Sequence, residues 1–540
     1  MSPKSKKILK RIGIVLGIII LLIAAAGIYI YSLIPKPFGD IPALQSELFS
    51  KPAQTYPVND SFIYKSATEL SDMIRNHKTS SVDIVTSYIN YIKNNNYKYN
   101  AMVWLFEDDA LRDAKRCDSL LQKGVVLGAL HGVPMTVKEA YFVKGKYCTL
   151  NAKEIGGFAA NGDQKIIQQL RNAGAVILGS TNVPYMLMDY QTYGDIYPPA
   201  SNPYDTSLTP GGSTGGGAAA LAAGFTPLEV GTDMGGSIRV PSSFCGLYGL
   251  KTTEKALDIW DAMYPGYKFD MDYAALAVGG PMARNPTDLE LLWNVLRKTP
   301  NQFMQTVPYE WDTAKAINQY HIAWMDNWQY SDGELKACSD IREKLEALVD
   351  TLHALGAVTD NKATGSYTEN NQVFFDLLFG LQANSQPWII RQFMGSNFKG
   401  LEDGVINHDE AFQLLKTMDP KLHESILAKR KTMIDNWNNF LTSYDFFICP
   451  VTLTTAFKKC ERGTPLLVDG KEIFYWNNGA YALSFNALGN PSIVIPLGLN
   501  KNGVPVGVQV VGKYFSEPKL IHFAKQLEPY TAGFIKPGSK

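Results

Sequence analysis

The spacing of hydrophobic positions changes several times along the chain, and each change predicts an element. Residues 12–34 run for 23 positions without a charged side chain. Wound as a helix, that run would measure about 34 Å, enough to cross a hydrocarbon core of about 30 Å. Ser66-Ala-Thr-Glu69 has the spacing of a capping box, and Leu70, Met73 and Ile74 behind it share one helical face. Val82, Val85, Ile89 and Ile92 repeat at helical spacing and predict a second helix. From about 125 to 250, short apolar runs at 175–178 and 225–230 alternate with glycine-rich turns and helical stretches. That alternation predicts a layered α/β architecture. Residues 310–440 read as mostly helical, with an aromatic and apolar stretch at 373–394. Runs of strand length return at 446–448, 492–496 and 506–511. No internal repeat and no long linker follow residue 60, so 61–540 is expected to fold as one unit behind a proline-containing connector, 35–60.

Charge changes the picture at the N-terminus. Lys+Arg and Asp+Glu are equal at 51 each in 540 residues, yet the first eleven residues hold five basic side chains and no acidic one. The remainder carries 46 basic against 51 acidic residues, which excludes a nucleic-acid binder working by bulk charge. A basic tail (1–11) before an uncharged span predicts one transmembrane anchor (12–34), with the N-terminus cytoplasmic and the body exported. Tyr29 and Tyr31 would then lie near the far interface. The competing reading is a cleaved signal peptide with Ala24-Ala25-Ala26 as its small-residue site. The six cysteines are scattered and form no C-x-x-C pair, so neither a structural metal nor a thioredoxin-type site is expected.

Two glycine/serine clusters carry candidate chemistry. Pro210-Gly-Gly-Ser213-Thr-Gly-Gly-Gly217 lacks the Gly-Lys-Ser/Thr ending of a phosphate loop. It also matches a loose dinucleotide fingerprint and a nucleophile elbow, but no apolar strand precedes it, as both require. The second cluster, Gly231-Thr-Asp233-Met-Gly235-Gly236-Ser237-Ile-Arg239, puts a serine behind two glycines, where successive backbone N–H groups can converge on a developing oxyanion. None of the seven histidines lies in either cluster. A buried lysine can replace histidine as base when desolvation lowers its pKa. Val133, Met135 and Val137 alternate as a strand that would deliver Lys138 at its end.

These motifs together resemble the amidase signature family. The resemblance rests on Val133-Pro-Met-Thr-Val-Lys138, Gly211-Gly-Ser213-Thr-Gly-Gly216 and Gly231-Thr-Asp-Met-Gly-Gly-Ser237-Ile-Arg-Val-Pro241. It continues through Phe244-Cys-Gly-Leu-Tyr-Gly-Leu-Lys251, Gly280-Pro-Met-Ala-Arg284, Gly489-Asn-Pro-Ser-Ile-Val-Ile-Pro-Leu-Gly498 and Pro505-Val-Gly-Val-Gln509. It implies an α/β fold with a large twisted mixed central sheet flanked by helices, here preceded by one N-terminal transmembrane helix. It also implies a Ser-cisSer-Lys triad, with Ser237 as nucleophile, Ser213 as bridging serine and Lys138 as base. The backbone N–H groups of Met234, Gly235, Gly236 and Ser237 would form the oxyanion hole. Thr214, Asp233 and Arg239 would support the site, the last two as an ion pair bracing the loop. No cofactor and no metal are implied.

Three positions depart from the family pattern. Thr214 stands where a second serine is common, Gly217 where a larger residue is common, and Lys251-Thr-Thr replaces Lys-Pro-Thr. The family includes fatty acid amide hydrolases, peptide amidases, aryl acylamidases and an amidotransferase component that serves aminoacyl-tRNA. An anchored, exported body argues against the tRNA role, whose substrate is cytoplasmic, and favours a small-molecule lipophilic N-acyl or primary amide reaching the enzyme from the membrane. The 373–394 stretch would then meet the acyl chain, or else form ordinary helical core. The alternatives are an exported peptide or aryl-acyl amidase and, in another class, an inactive membrane-bound binding protein.

Overall fold

The computed structural model describes residues 37–261, 264–265, 276–311, 315–330, 333–384, 391, 413–414 and 416–539. The span 12–34 lies outside them, and among the described residues no helix is long and apolar enough to cross a membrane.

The described residues form fifteen strands, numbered along the chain. The first six are β1 (Met102–Leu105), β2 (Pro134–Lys138), β3 (Val176–Thr181), β4 (Leu228–Asp233), β5 (Tyr248–Lys251) and β6 (Val278–Ala283). Then come β7 (His321–Trp324), the hairpin β8 (Asn327–Tyr330) and β9 (Gly333–Lys336), and β10 (Val358–Asn361). The last five are β11 (Phe446–Pro450), the hairpin β12 (Leu466–Val468) and β13 (Lys471–Ile473), β14 (Ser492–Leu499) and β15 (Pro505–Val511). Eleven of them make one sheet in the order β1-β3-β2-β4-β6-β5-β14-β15-β11-β7-β10. The sheet is mixed. β2 runs parallel to both β3 and β4, β7 parallel to β10 and β11, and the other neighbours are antiparallel.

Central strands are covered on both faces, which is why β2, β3 and β6 are buried at every position instead of alternating. The capping box forms as the sequence predicts: Ser66 Oγ accepts from Glu69 N at 3.0 Å, and Glu69 Oε2 accepts from Ser66 N at 2.8 Å. Helix Ala67–Arg75 buries Leu70 and Ile74, and helix Ser81–Asn95 buries Val85, Ile89 and Ile92.

The 310–440 segment is only partly helical. Helices Ser339–Ala354, Tyr367–Asn384 and Pro420–Phe440 are present, but β7 and β10 also lie here and complete one edge of the sheet. β10 is an edge strand with exposed ends, so it lacks the apolar alternation that reveals a strand in sequence. Within 373–394, Val373, Phe374 and Leu377 pack with Leu276, Ile426 and Leu483 as helical core. Trp388, Ile389, Ile390, Phe393 and Met394 lie outside the described residues.

Candidate active site

β2 and β4 lie side by side and parallel, ending on Lys138 and Asp233. The space beyond the carboxyl ends of parallel strands is where open α/β sheets place ligands. Ser213 lies in the loop that feeds helix Gly215–Ala222, and the Gly212–Ser213 peptide is cis. Ser237 sits in the turn between β4 and helix Arg239–Phe244. Thr214 N donates to the Ser237 carbonyl at 3.1 Å, which joins the two loops. The Thr214 hydroxyl reaches the Thr232 carbonyl at 3.4 Å.

Lys138 is fully buried. Its Nζ lies 2.7 Å from Ser213 Oγ, 2.8 Å from Thr232 Oγ1 and 3.2 Å from the Thr232 carbonyl oxygen. Burial pushes the Lys138 pKa down to about 7, against the opposing pull of Asp233 and Glu229. Near neutral pH a large share of the amine therefore exists without its extra proton, as a base must.

Asp233 organises the Ser237 turn. Its carboxylate accepts from Gly236 N at 2.9 Å, from Ile238 N at 3.1 Å, and from Arg239 Nε and Nη2 at 3.0 and 2.9 Å. Arg239 also donates through Nη1 to Gln509 Oε1 at 2.9 Å, and Asn486 Nδ2 donates to Asp233 at 3.0 Å. Burial works to raise the Asp233 pKa, but the Arg239 guanidinium wins and holds it well below the usual carboxylate range.

This network corrects one expectation. The Gly236 N–H, expected to face an oxyanion, donates instead to Asp233 Oδ1. Gly236 has φ +109°, and a Cβ there would come within 2.8 Å of Ala482 Cβ, so only glycine fits.

The room at Gly217 is also used. A Cβ at this position would lie 2.5 Å from Glu229 Oε1, so the buried Glu229 side chain occupies the space that a larger residue would take. Glu229 Oε1 accepts from Thr181 Oγ1 at 2.8 Å, and burial raises its carboxyl to about 8.

Ser213 and Ser237 both line a cavity of about 300 Å³, close to the lower end of typical ligand sites at roughly 300–1,000 Å³. Its walls include Ile155, Met186, Leu187, Met188, Trp260 and Tyr264. No Asp, Glu, Lys or Arg side chain is among its described lining residues. All six cysteines are free, and no group of His, Cys, Asp and Glu among the described residues could hold a metal ion.

The sequence profile of the amidase family matches residues 83–521, which include every motif of this site. The chain belongs to the amidase family. It is an amidase, an enzyme acting on amide bonds. It is 28% identical over 498 residues to a glutamyl-tRNA(Gln) amidotransferase component from Treponema denticola, covering 86% of this chain and 99% of that one. A bacterial aryl acylamidase superposes with a TM-score of 0.72 at 21% identity, over 89% of this chain and 99% of its own. A fatty acid amide hydrolase gives the same TM-score and identity, over 89% of this chain and 87% of its own. At that identity the two structures establish a common fold alone.

Several residues of this amidase's site carry no role in the sequence reading. Thr232 lies inside a quoted motif, yet only the structure shows both its oxygens on Lys138. Asn486 reaches Asp233, and Gln509, the last residue of a quoted motif, reaches Arg239, each from more than 240 positions away. The cavity walls come from separate segments near 140–164, 186–188, 213, 232–237 and 259–277.

Proposed function

We propose that this amidase hydrolyses a small carboxamide with a compact apolar acyl or aryl-acyl part, through an acyl-enzyme on Ser237. The observation that carries this reading is a buried, uncharged-capable Lys138 2.7 Å from Ser213 Oγ, beneath an apolar cavity that Ser237 also lines. In the first step neutral Lys138 takes the Ser213 proton, Ser213 takes that of Ser237, and Ser237 Oγ attacks the carbonyl carbon. Negative charge gathers on the carbonyl oxygen, opposite the N–H groups of Met234, Gly235 and Ser237. The C–N bond breaks as the proton returns through Ser213 to the leaving amine. A water molecule then gives its proton along the same route to Lys138 and attacks the ester carbon; the bond to Ser237 Oγ breaks, the proton returns through Ser213 to that oxygen, and the acid is released.

A second reading, amide-nitrogen donation within an amidotransferase, draws on the name of the Treponema denticola relative. Free glutamine would bring an ammonium and a carboxylate into the site, and an unpaired buried charge is strongly disfavoured. The uncharged described walls therefore favour the apolar amide. Residues 12–34 are proposed to anchor the enzyme in a membrane, with the basic tail cytoplasmic and the catalytic domain on the other side.

The test is competitive turnover of an aryl-acyl amide, a peptide amide and free glutamine, with fluorophosphonate labelling located by mass spectrometry. The reading expects the adduct on Ser237 and preference for the aryl-acyl amide. Labelling unchanged in Ser237→Ala, or preference for glutamine, would overturn it.

A further inference from the structure

The cavity wall receives support from a residue that precedes the whole family-matched region. Phe142 and Tyr264 line the cavity, and behind them they form an aromatic cluster with Phe158. The fourth ring is Phe38. It stacks on Tyr264 with centroids 5.6 Å apart and planes at 19°, and meets Phe158 edge-on at 5.4 Å. Tyr264 is anchored at its other end, where its hydroxyl donates to the Cys148 carbonyl at 3.0 Å. Phe38 therefore backs the ring that faces the substrate.

The contact is built into the backbone. Phe38 N donates to the Ile155 carbonyl at 3.1 Å, and Gly157 N donates to the Gly39 carbonyl at 3.1 Å. Ile155 itself lines the cavity. Two glycines make room for this close approach. A Cβ on Gly156 would lie 2.4 Å from the Gly39 carbonyl oxygen, and one on Gly157 would lie 2.0 Å from that of Asp40. No side chain at either position would allow the connector to seat here.

We propose that Phe38 is a specificity-determining positioning residue, which fixes Tyr264 and so sets how an aryl or bulky acyl group packs in the cavity. The inference rests on the apolar-acyl reading of that cavity. Aromatic pairs contribute about 0.5–1.5 kcal/mol beyond area burial, which corresponds to a change of roughly two- to tenfold in binding. The effect should fall on acyl groups long enough to reach Tyr264 and spare those that are not.

The experiment compares full-length wild type with Phe38→Ala, Phe38→Tyr and Gly157→Ala on two p-nitroanilides, propionyl and phenylacetyl. For Phe38→Ala, KM for the phenylacetyl amide should rise roughly two- to tenfold with kcat little changed, while propionyl kinetics stay as in wild type. Gly157→Ala, which blocks the seat without touching the cavity, should reproduce that split, and Phe38→Tyr should restore wild-type selectivity. An unchanged phenylacetyl-to-propionyl ratio in both Phe38→Ala and Gly157→Ala would overturn the proposal. So would an equal loss on both amides, which marks a merely structural role. Failure of the amidase reading would look different, as loss of both turnover and Ser237 labelling in the wild type.

Discussion

Thr232 holds Lys138 through two oxygens, its carbonyl 3.2 Å and its hydroxyl 2.8 Å from Nζ. A neutral amine has two N–H bonds and one lone pair. The carbonyl can only accept, and where the hydroxyl accepts the second N–H, the neutral amine has its lone pair free for the Ser213 hydroxyl, whose oxygen lies 2.7 Å from Nζ. Protonation at low pH consumes that lone pair. Because burial has lowered the Lys138 pKa to about 7, kcat/KM should be flat above that pH and fall about tenfold per pH unit below it. A pH–rate profile on an uncharged amide checks this, and a flat rate down to acid pH would refute the role of Lys138. Thr232→Val keeps the carbonyl and loses the hydroxyl, with an expected loss in kcat/KM of up to roughly tenfold.

Asp233 and Arg239 form a fully buried ion pair that also fixes the Ser237 turn through Gly236 N and Ile238 N. Removing one charge leaves the other unpaired in the interior. Asp233→Asn should therefore destabilise the fold by about 3–5 kcal/mol. Denaturant unfolding of wild type and variant measures the difference, and equal stability would show that the pair does not brace the turn.

Gly217 and Glu229 compete for one space, so their substitutions should couple. In the wild-type background Gly217→Ala places a methyl 2.5 Å from Glu229 Oε1, and overpacking of this kind costs typically about 1–3 kcal/mol. With Glu229→Ala already present, the methyl has room and helix Gly215–Ala222 gains a better helix former. The second substitution should then be neutral or stabilising. A double-mutant cycle by thermal unfolding gives the answer, and simple additivity would show that the two residues do not share the space.

The placement of the candidate site was largely legible in the sequence because Lys138, Ser213 and Ser237 stand in contiguous motifs with constrained backbone. Lys138 closes an alternating run that does form β2, and Ser213 and Ser237 follow glycine pairs that do form tight loops. The direction of each backbone N–H was not legible. Gly236 looks like an oxyanion donor in a row of four, and only the Asp233 carboxylate, placed by Arg239 and Asn486, turns it away. The same limit applies to the cavity, whose walls converge from distant segments, and to β7 and β10, whose short sequences carry no clear period. Phe38 was invisible for a related reason: nothing within 35–60 distinguishes a connector lying against the body from one hanging free, whereas Gly156 and Gly157 reveal the seat once the two segments meet.

That seat bears on the N-terminal span. The proposed span ends at Ile34, four positions before Phe38, so the chain between them can extend no more than about 14 Å. An anchor at 12–34 would therefore hold the Phe38 side of the enzyme close to the membrane surface. Deleting residues 1–34 removes the span and leaves Phe38 and its seat in place. The full chain should sediment with membranes and resist a carbonate wash, and the deleted form should appear in the soluble fraction with unchanged kcat/KM on the phenylacetyl amide. Protease added to sealed vesicles of known orientation should then reach the catalytic domain only from the non-cytoplasmic face. Recovery of the full chain in the soluble fraction would refute the anchor. A mature N-terminus just after Ala24-Ala25-Ala26 would assign residues 12–26 to a cleaved signal peptide instead.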